Sequence, residues 1–232
     1  MSSLSKDLVK FNSQTAARDK IFRTVQYGSR FILWQLTYGS KDVQGEVIIK
    51  LQKLEAALAL SRKLFRLGNS MDLAHKAVDA LSIPHTGMML LAFTSHSMKA
   101  LWLLLDHLLW IGKIGVVKVE LPFWTRWSLR AWLVSMVTSA ISGMIKIQAA
   151  DNKLVRYRRE NGQDAKIPES LQVEARNVRM NFWRDFCDLF IPMGGLGYAS
   201  PGFAAFCGLV SSLIGFQLEW EKNIQPYKPK DQ

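Results

Sequence analysis

Four histidines, His75, His85, His96 and His107, are the residues of this chain best equipped to hold a metal or move a proton. None stands in a His-x-x-x-His pair or beside a Cys-x-x-Cys, the spacings that bring two ligands to one face of a helix or turn. Packed or solvated histidines are therefore expected, with no metal and no cofactor. Asp106-His107 invites an acid–base reading, but no nucleophile elbow or oxyanion-donating turn accompanies it. Gly194-Gly195-Leu196-Gly197 lacks the preceding strand and the following Lys-Ser or Lys-Thr of a phosphate loop. No catalytic residue emerges, and the chain reads as a non-enzyme. Lys99 and Asp106 raise a different chemistry. They interrupt an apolar run that starts at Ile83 and ends at Gly115, and a charge facing lipid near a bilayer centre is costly. Either they face other helices or line a pore, or the span uses only part of the run. They share a helix face two turns apart, too far to pair directly.

A second chemistry is that of a lipid surface. From Glu46 to Ser70, Val47, Leu51, Leu54, Leu58 and Phe65 fall on one stripe at helical spacing. Gln52, Glu55, Arg62, Lys63 and Arg66 make a second arc, while Ile48, Ile49 and Leu60 lie off the stripe. Leu and Phe on one face with Lys and Arg on another suit a helix lying in the headgroup layer of an anionic bilayer. Val47, Leu51, Leu54, Leu58 and Phe65 would insert; Arg62, Lys63 and Arg66 would meet lipid headgroups. Gly68-Asn69 supplies a helix stop, since either residue tolerates the left-handed conformation.

The elements around these residues read as all-α, because no alternation is long enough to build a sheet. The chain has 232 residues, 49% hydrophobic, with 8 Trp and a formal net charge of +11. So basic a chain implies an acidic partner; here Lys and Arg are spread over helices with apolar backs, which favours an anionic phospholipid membrane over nucleic acid. Cys187 and Cys207 read as small buried hydrophobes in a reducing setting, and the N-terminus lacks a signal-peptide run. Helical patterning covers Leu4 to Tyr38, ends at Gly39-Ser40, resumes through Met71 to Ser82 and breaks at Pro84. Pro122 opens another helix with Trp124, Trp127 and Trp132 near its start and an uncharged stretch from Ala131 to Ile145. Pro192 and the glycines after it are expected to break the next segment, and Pro201 to begin the last helix. From Pro201 to Leu218 that helix is about 27 Å long, close to the hydrocarbon thickness. Its Gly208, Ser211, Ser212 and Gly215 are small enough for close helix packing. The organisation read is residues 1–82 as a cytosolic amphipathic region, 83–150 central and membrane-associated, 151–186 a charged helical connector, 187–221 a membrane anchor and 222–232 a basic cytosolic tail. Two firm transmembrane spans are expected, at 84–110 and 201–218, which would leave 122–186 on the far side of the membrane from the termini.

Several passages resemble one family. Phe11-x-x-Gln14-Thr15-x-x-Arg18-Asp19-Lys20 with Gln26-Tyr27, and Leu54-Glu55 through Ser61-Arg62-Lys63-Leu64-Phe65-Arg66-Leu67-Gly68-Asn69, resemble the N-terminal signatures of the peroxin-11 family of peroxisomal membrane elongation and division factors. Asp106-x-x-Leu109-Trp110-x-Gly112-Lys113 resembles its central motif. Cys187-Asp188-Leu189-Phe190-Ile191-Pro192, Leu196-Gly197, Pro201-Gly202 and Cys207-Gly208-Leu209-Val210-Ser211-Ser212 resemble its C-terminal region. The matches keep their order over nearly the whole chain; the Gly-rich insertion of some members is absent. The resemblance implies an integral protein of the peroxisomal membrane with both termini cytosolic. It also implies an amphipathic helix that tubulates membrane, homo-oligomerisation, and recruitment of a fission adaptor and a dynamin-related GTPase. A channel for small metabolites is the alternative function. Lys228 and Lys230 resemble a dilysine signal for the coatomer coat.

Overall fold

In the computed structural model, residues 3–39 and 45–224 are described, and they form eight helices and no strand. These are α1 (Ser3–Ser13), α2 (Thr15–Gly39), α3 (Gly45–Phe65), α4 (Asn69–Ala80), α5 (Thr86–Lys113), α6 (Leu121–Asn161), α7 (Glu169–Gly195) and α8 (Pro201–Ile224). Local chemistry sets the boundaries. Gly68 takes φ 86° between α3 and α4, a conformation that costs a β-carbon residue dearly. His85 caps α5 by accepting the Met88 amide at 3.3 Å. Pro201 opens α8, where its missing N–H is one of the orphans anyway. Pro192, expected to break its segment, sits inside α7, which runs on to Gly195. It comes near the helix end, so it forfeits a single ladder bond, and Leu196 and Tyr198 close the terminus onto Pro192 and Met193 carbonyls.

Sequential helices from α4 to α8 pack side by side, α8 lies against α2, α2 against α3, and α3 reaches α5 to complete a ring. Residues 1–82, expected as a separate cytosolic region, thus contribute α2 and α3 to the same assembly as the apolar helices. α2 runs antiparallel to α8. Phe31 meets Phe206, and a β-carbon added to Gly202 or Gly208 would overlap the Trp34 ring at 2.1 Å or the Tyr27 ring at 2.3 Å. α5 and α6 approach through serines: Ser135 Oγ donates to the Ser95 carbonyl at 2.9 Å, and Ser95 Oγ returns the bond at 3.3 Å. Small polar residues of this kind hold helices together where lipid removes the hydrophobic driving force between them.

Among the described residues, three helices are long and apolar enough to cross a membrane: α5, α6 and α8. α8 contains the span expected at 201–218, and α5 all but the first two residues of the one expected at 84–110; α6 is an addition. It is one unbroken helix of 41 residues, about 60 Å long and so roughly twice the hydrocarbon thickness. Its far half pairs with the start of α7 through Lys153–Glu174 and Arg179–Asp151, and α7 in turn pairs with α8 through Arg176–Glu221. The tip of the α6–α7 hairpin therefore lies at the same end of the ring as the end of α8. The ring of Phe11 in α1 is there too, against Phe216 and Trp220. Part of 122–186, expected on the far side of the membrane from the termini, thus packs beside the end of α8. Charges near the middle of α7 are paired: Asp185 accepts from Arg184 and Ser139, and Asp188 pairs with Arg23.

Candidate functional site: the charged interior of the helix ring

The bundle buries ions and polar groups beside an apolar core at Trp102, Leu103 and Ala131, and exposes many large apolar side chains. Arg23, Gln26, Arg62, Asp106, Asp188, Ser211 and Ser212 are buried, whereas Leu54, Leu64, Leu90, Leu104, Val137, Ile141, Phe206 and Leu213 are exposed. A water-soluble domain has the opposite distribution; a lipid-facing exterior accounts for this one.

The interior is built on α2 and α3. Lys20, Arg23, Tyr27 and Arg30 recur at helical spacing along α2; Ala59, Arg62 and Lys63 answer them from α3, and Arg66 from the turn that follows it. Arg62 Nε donates to Asp19 at 2.9 Å and Arg62 Nη1 to Gln26 Oε1 at 2.7 Å. Gln26 passes the chain on to Glu55 at 3.0 Å, where Arg30 also pairs. Arg66 donates to Asp106 at 2.7 Å, and Lys63 pairs with the other carboxylate oxygen. Arg66 also lies 5.1 Å over the Trp102 ring, which stacks on Trp132 at 4.6 Å. Arg23 pairs with Asp188 and donates to Ser211 Oγ at 3.0 Å. Burial alone would raise the Asp19 carboxyl, but Arg62 beside it holds it below its usual range. Burial first, and Arg23 second, push Lys20 down to about 8.

Two cavities of about 420 and 440 Å³ meet in this interior. Arg23, Arg62, Arg66 and the Trp102–Trp132 stack line both. Lys20 and Lys99 line one cavity, Asp106 and Lys113 the other. Lys99 and Asp106 thus both face the interior, on either side of Trp102.

The residues singled out on α3 divide. Val47 and Leu54 are exposed, while Leu51, Leu58 and Phe65 are half-buried, Phe65 with its ring 5.3 Å from Phe22. Arg62, Lys63 and Arg66, expected to meet lipid headgroups, point inward onto Asp19 and Asp106 in this structure. Their partners lie some 40 residues away in sequence, beyond the reach of a helical wheel. Gly208, Ser211, Ser212 and Gly215 form the face of α8 against α2, with Lys20 Cδ 3.5 Å from where a Gly215 β-carbon would stand. His107 Nε2 lies 3.2 Å from the Arg66 carbonyl, and His85 is a helix cap. Among the described residues, no three His, Cys, Asp or Glu side chains come together as a metal site. Lys228 and Lys230 lie outside the described residues. Sequence reasoning did not single out Asp19, Arg23 and Asp188 as interior residues; an ion hidden in an otherwise apolar helix face was the available signal.

The family model of Peroxisomal biogenesis factor 11 (PEX11) matches residues 5–220. Peroxisomal membrane protein 11B of Homo sapiens is 29% identical over 245 residues, covering 89% of this chain and 93% of that protein. Peroxisomal biogenesis factor 11 of Schizosaccharomyces pombe is 24% identical over 215 residues, covering 88% of this chain and 90% of that one. Peroxisomal membrane protein 11A of Mus musculus is 22% identical over 230 residues, with 89% and 93% covered. No solved structure matches.

Proposed function

This chain belongs to the Peroxisomal biogenesis factor 11 family, and on that premise we propose that it elongates the peroxisomal membrane for division by inserting α3 into one leaflet. The observation that carries this reading is the position of α3. It sits at the seam of the ring, packed chiefly on α2, with Val47, Ile49, Leu54 and Leu64 exposed. Wedging such a helix into one leaflet spreads its headgroups and favours curvature. Contact of Arg62, Lys63 and Arg66 with headgroups then requires α3 to leave the ring, exchanging Asp19 and Asp106 for lipid phosphates. Homo-oligomers, a fission adaptor and a dynamin-related GTPase complete the proposal as the expected partners. Both termini face the cytosol in it, in keeping with α1 lying against the end of α8. Full-length protein added to anionic vesicles should draw them into tubules, and Leu54→Glu with Leu64→Glu should leave the vesicles round. Tubulation undiminished by that pair of substitutions would remove α3 from the mechanism.

The metabolite channel remains as a second reading because two cavities with charged walls share lining residues inside the ring. Inserted protein that carries no current across a planar bilayer would dispose of it.

A further inference from the structure

The interior holds more positive charge than its own carboxylates balance. Beside the cavity of about 420 Å³, Arg23, Arg62 and Arg66 are matched by Asp188, Asp19 and Asp106. Lys20 and Lys99, on different helices, line the same cavity; neither ammonium makes an ion pair among the described residues, and the carboxylates that attract them, Asp19, Asp185 and Asp188, are already held by Arg62, Arg184 and Arg23. Of the other two carboxylates on its wall, the exposed Asp72 pairs with Lys76, and Glu219 accepts from Asn223 at 3.0 Å with Lys222 at 4.0 Å. Arg23 is only 9% exposed, yet its Nε finds no partner. A buried donor without an acceptor and two unmatched charges in a low-dielectric space are costly unless a counter-ion supplies both. We infer that this cavity binds a phosphomonoester, whose charge of about −1.5 to −2 at neutral pH matches the two lysines and whose oxygens can accept from Arg23 Nε. The cavity far exceeds a phosphate in volume, and the Trp102–Trp132 stack and Phe65 on its wall offer a surface for an apolar or planar substituent. The exposed Thr15, Ala16, Asn69 and Asp72 frame its mouth. The site does not depend on membrane remodelling and stands or falls by binding alone.

The phosphate can come from a soluble metabolite or a lipid headgroup, and the test separates them. Full-length protein in nanodiscs of neutral lipid is titrated calorimetrically with phenyl phosphate, inorganic phosphate and short-chain phosphatidic acid. Binding of phenyl phosphate indicates a soluble ligand, and binding of phosphatidic acid alone indicates a headgroup; either supports the site. Lys20→Gln with Lys99→Gln should weaken binding by about tenfold or more, as the loss of charge-assisted hydrogen bonds does, whereas Lys118→Gln should not. Neither lysine holds an ion pair, so the double variant removes no structural partner. As a check on the unaltered protein, bound ligand should shield Lys20 and Lys99, but not Lys118, from amine acetylation read by mass spectrometry. Failure of all three compounds to bind, equal affinity in the double variant, or acetylation unchanged by ligand would overturn the inference.

Discussion

Replacing Asp106 with Asn tests whether the inward-facing ion pairs hold α3 to the bundle. Asp106 is 5% exposed and takes Arg66 at 2.7 Å on one oxygen and Lys63 on the other. Asparagine keeps the shape and removes the charge, leaving two cations side by side with Arg62 nearby. Breaking a buried pair from one side costs about 3–5 kcal/mol, because the survivor stays buried and uncompensated. For a chain of this length that lowers the melting temperature by roughly 6–20 °C. Thermal unfolding in detergent, followed by tryptophan fluorescence, reads the shift, and amide exchange should rise along α3 before α8. Adding Lys63→Met to Asp106→Asn removes one stranded cation and should recover part of the loss, with a coupling of about 1 kcal/mol or more. A shift of less than about 2 °C, or a double variant no more stable than Asp106→Asn alone, would refute the claim that these pairs bind α3.

Gly208→Ala should destabilise by about 1–3 kcal/mol, since its β-carbon would overlap the buried Tyr27 ring. Gly215→Ala, with Lys20 Cδ at 3.5 Å, should be tolerated; equal melting temperatures for the two would contradict the packing of α8 on α2. Cysteines placed at Lys118, Asn161 and Lys222 report sidedness in sealed organelles: Asn161 and Lys222 should react alike with an impermeant reagent and Lys118 oppositely. Protection of Asn161 with labelling of Lys222 would return the topology to two spans.

What the sequence made legible was whatever local chemistry decides. The start of α8 follows from Pro201, the break after α4 from Pro84, and the end of α3 from Gly68-Asn69. Hydropathy alone located α5 and α8. Relations between distant segments were not legible. The wheel of α3 separates Arg62, Lys63 and Arg66 from its apolar stripe but cannot say whether that arc faces headgroups or Asp19 and Asp106. Nor can a single helix show that Asp188 of α7 meets Arg23 of α2, or that Asp185 accepts from Ser139 of α6. The full length of α6 was hidden by the change from an uncharged half to a charged half, which composition reads as a boundary and a helix does not.

The same residues that dock α3 also line the interior cavity, and this couples the two proposals. Arg62 and Arg66 stand on its wall and hold Asp19 and Asp106 across the ring. Withdrawing α3 takes both arginines with it, opens the cavity on one side and leaves Asp19 and Asp106 as unbalanced anions facing the remaining space. An anion bound beside Lys20 and Lys99 therefore has a higher affinity for the ring with α3 docked than for the ring without it. By linkage, such an anion stabilises the docked form by as much as α3 strengthens its binding. An anionic bilayer competes in the opposite sense, since its phosphates can receive Arg62, Lys63 and Arg66 only after the carboxylates have given them up. The exchange gives the cations new partners at the bilayer but strands Asp19 and Asp106 in the ring, a cost that an apolar helix leaving an apolar seam would not meet. The buried basic residues of α3 are thus placed to make its release responsive to anions inside the ring and at the membrane surface.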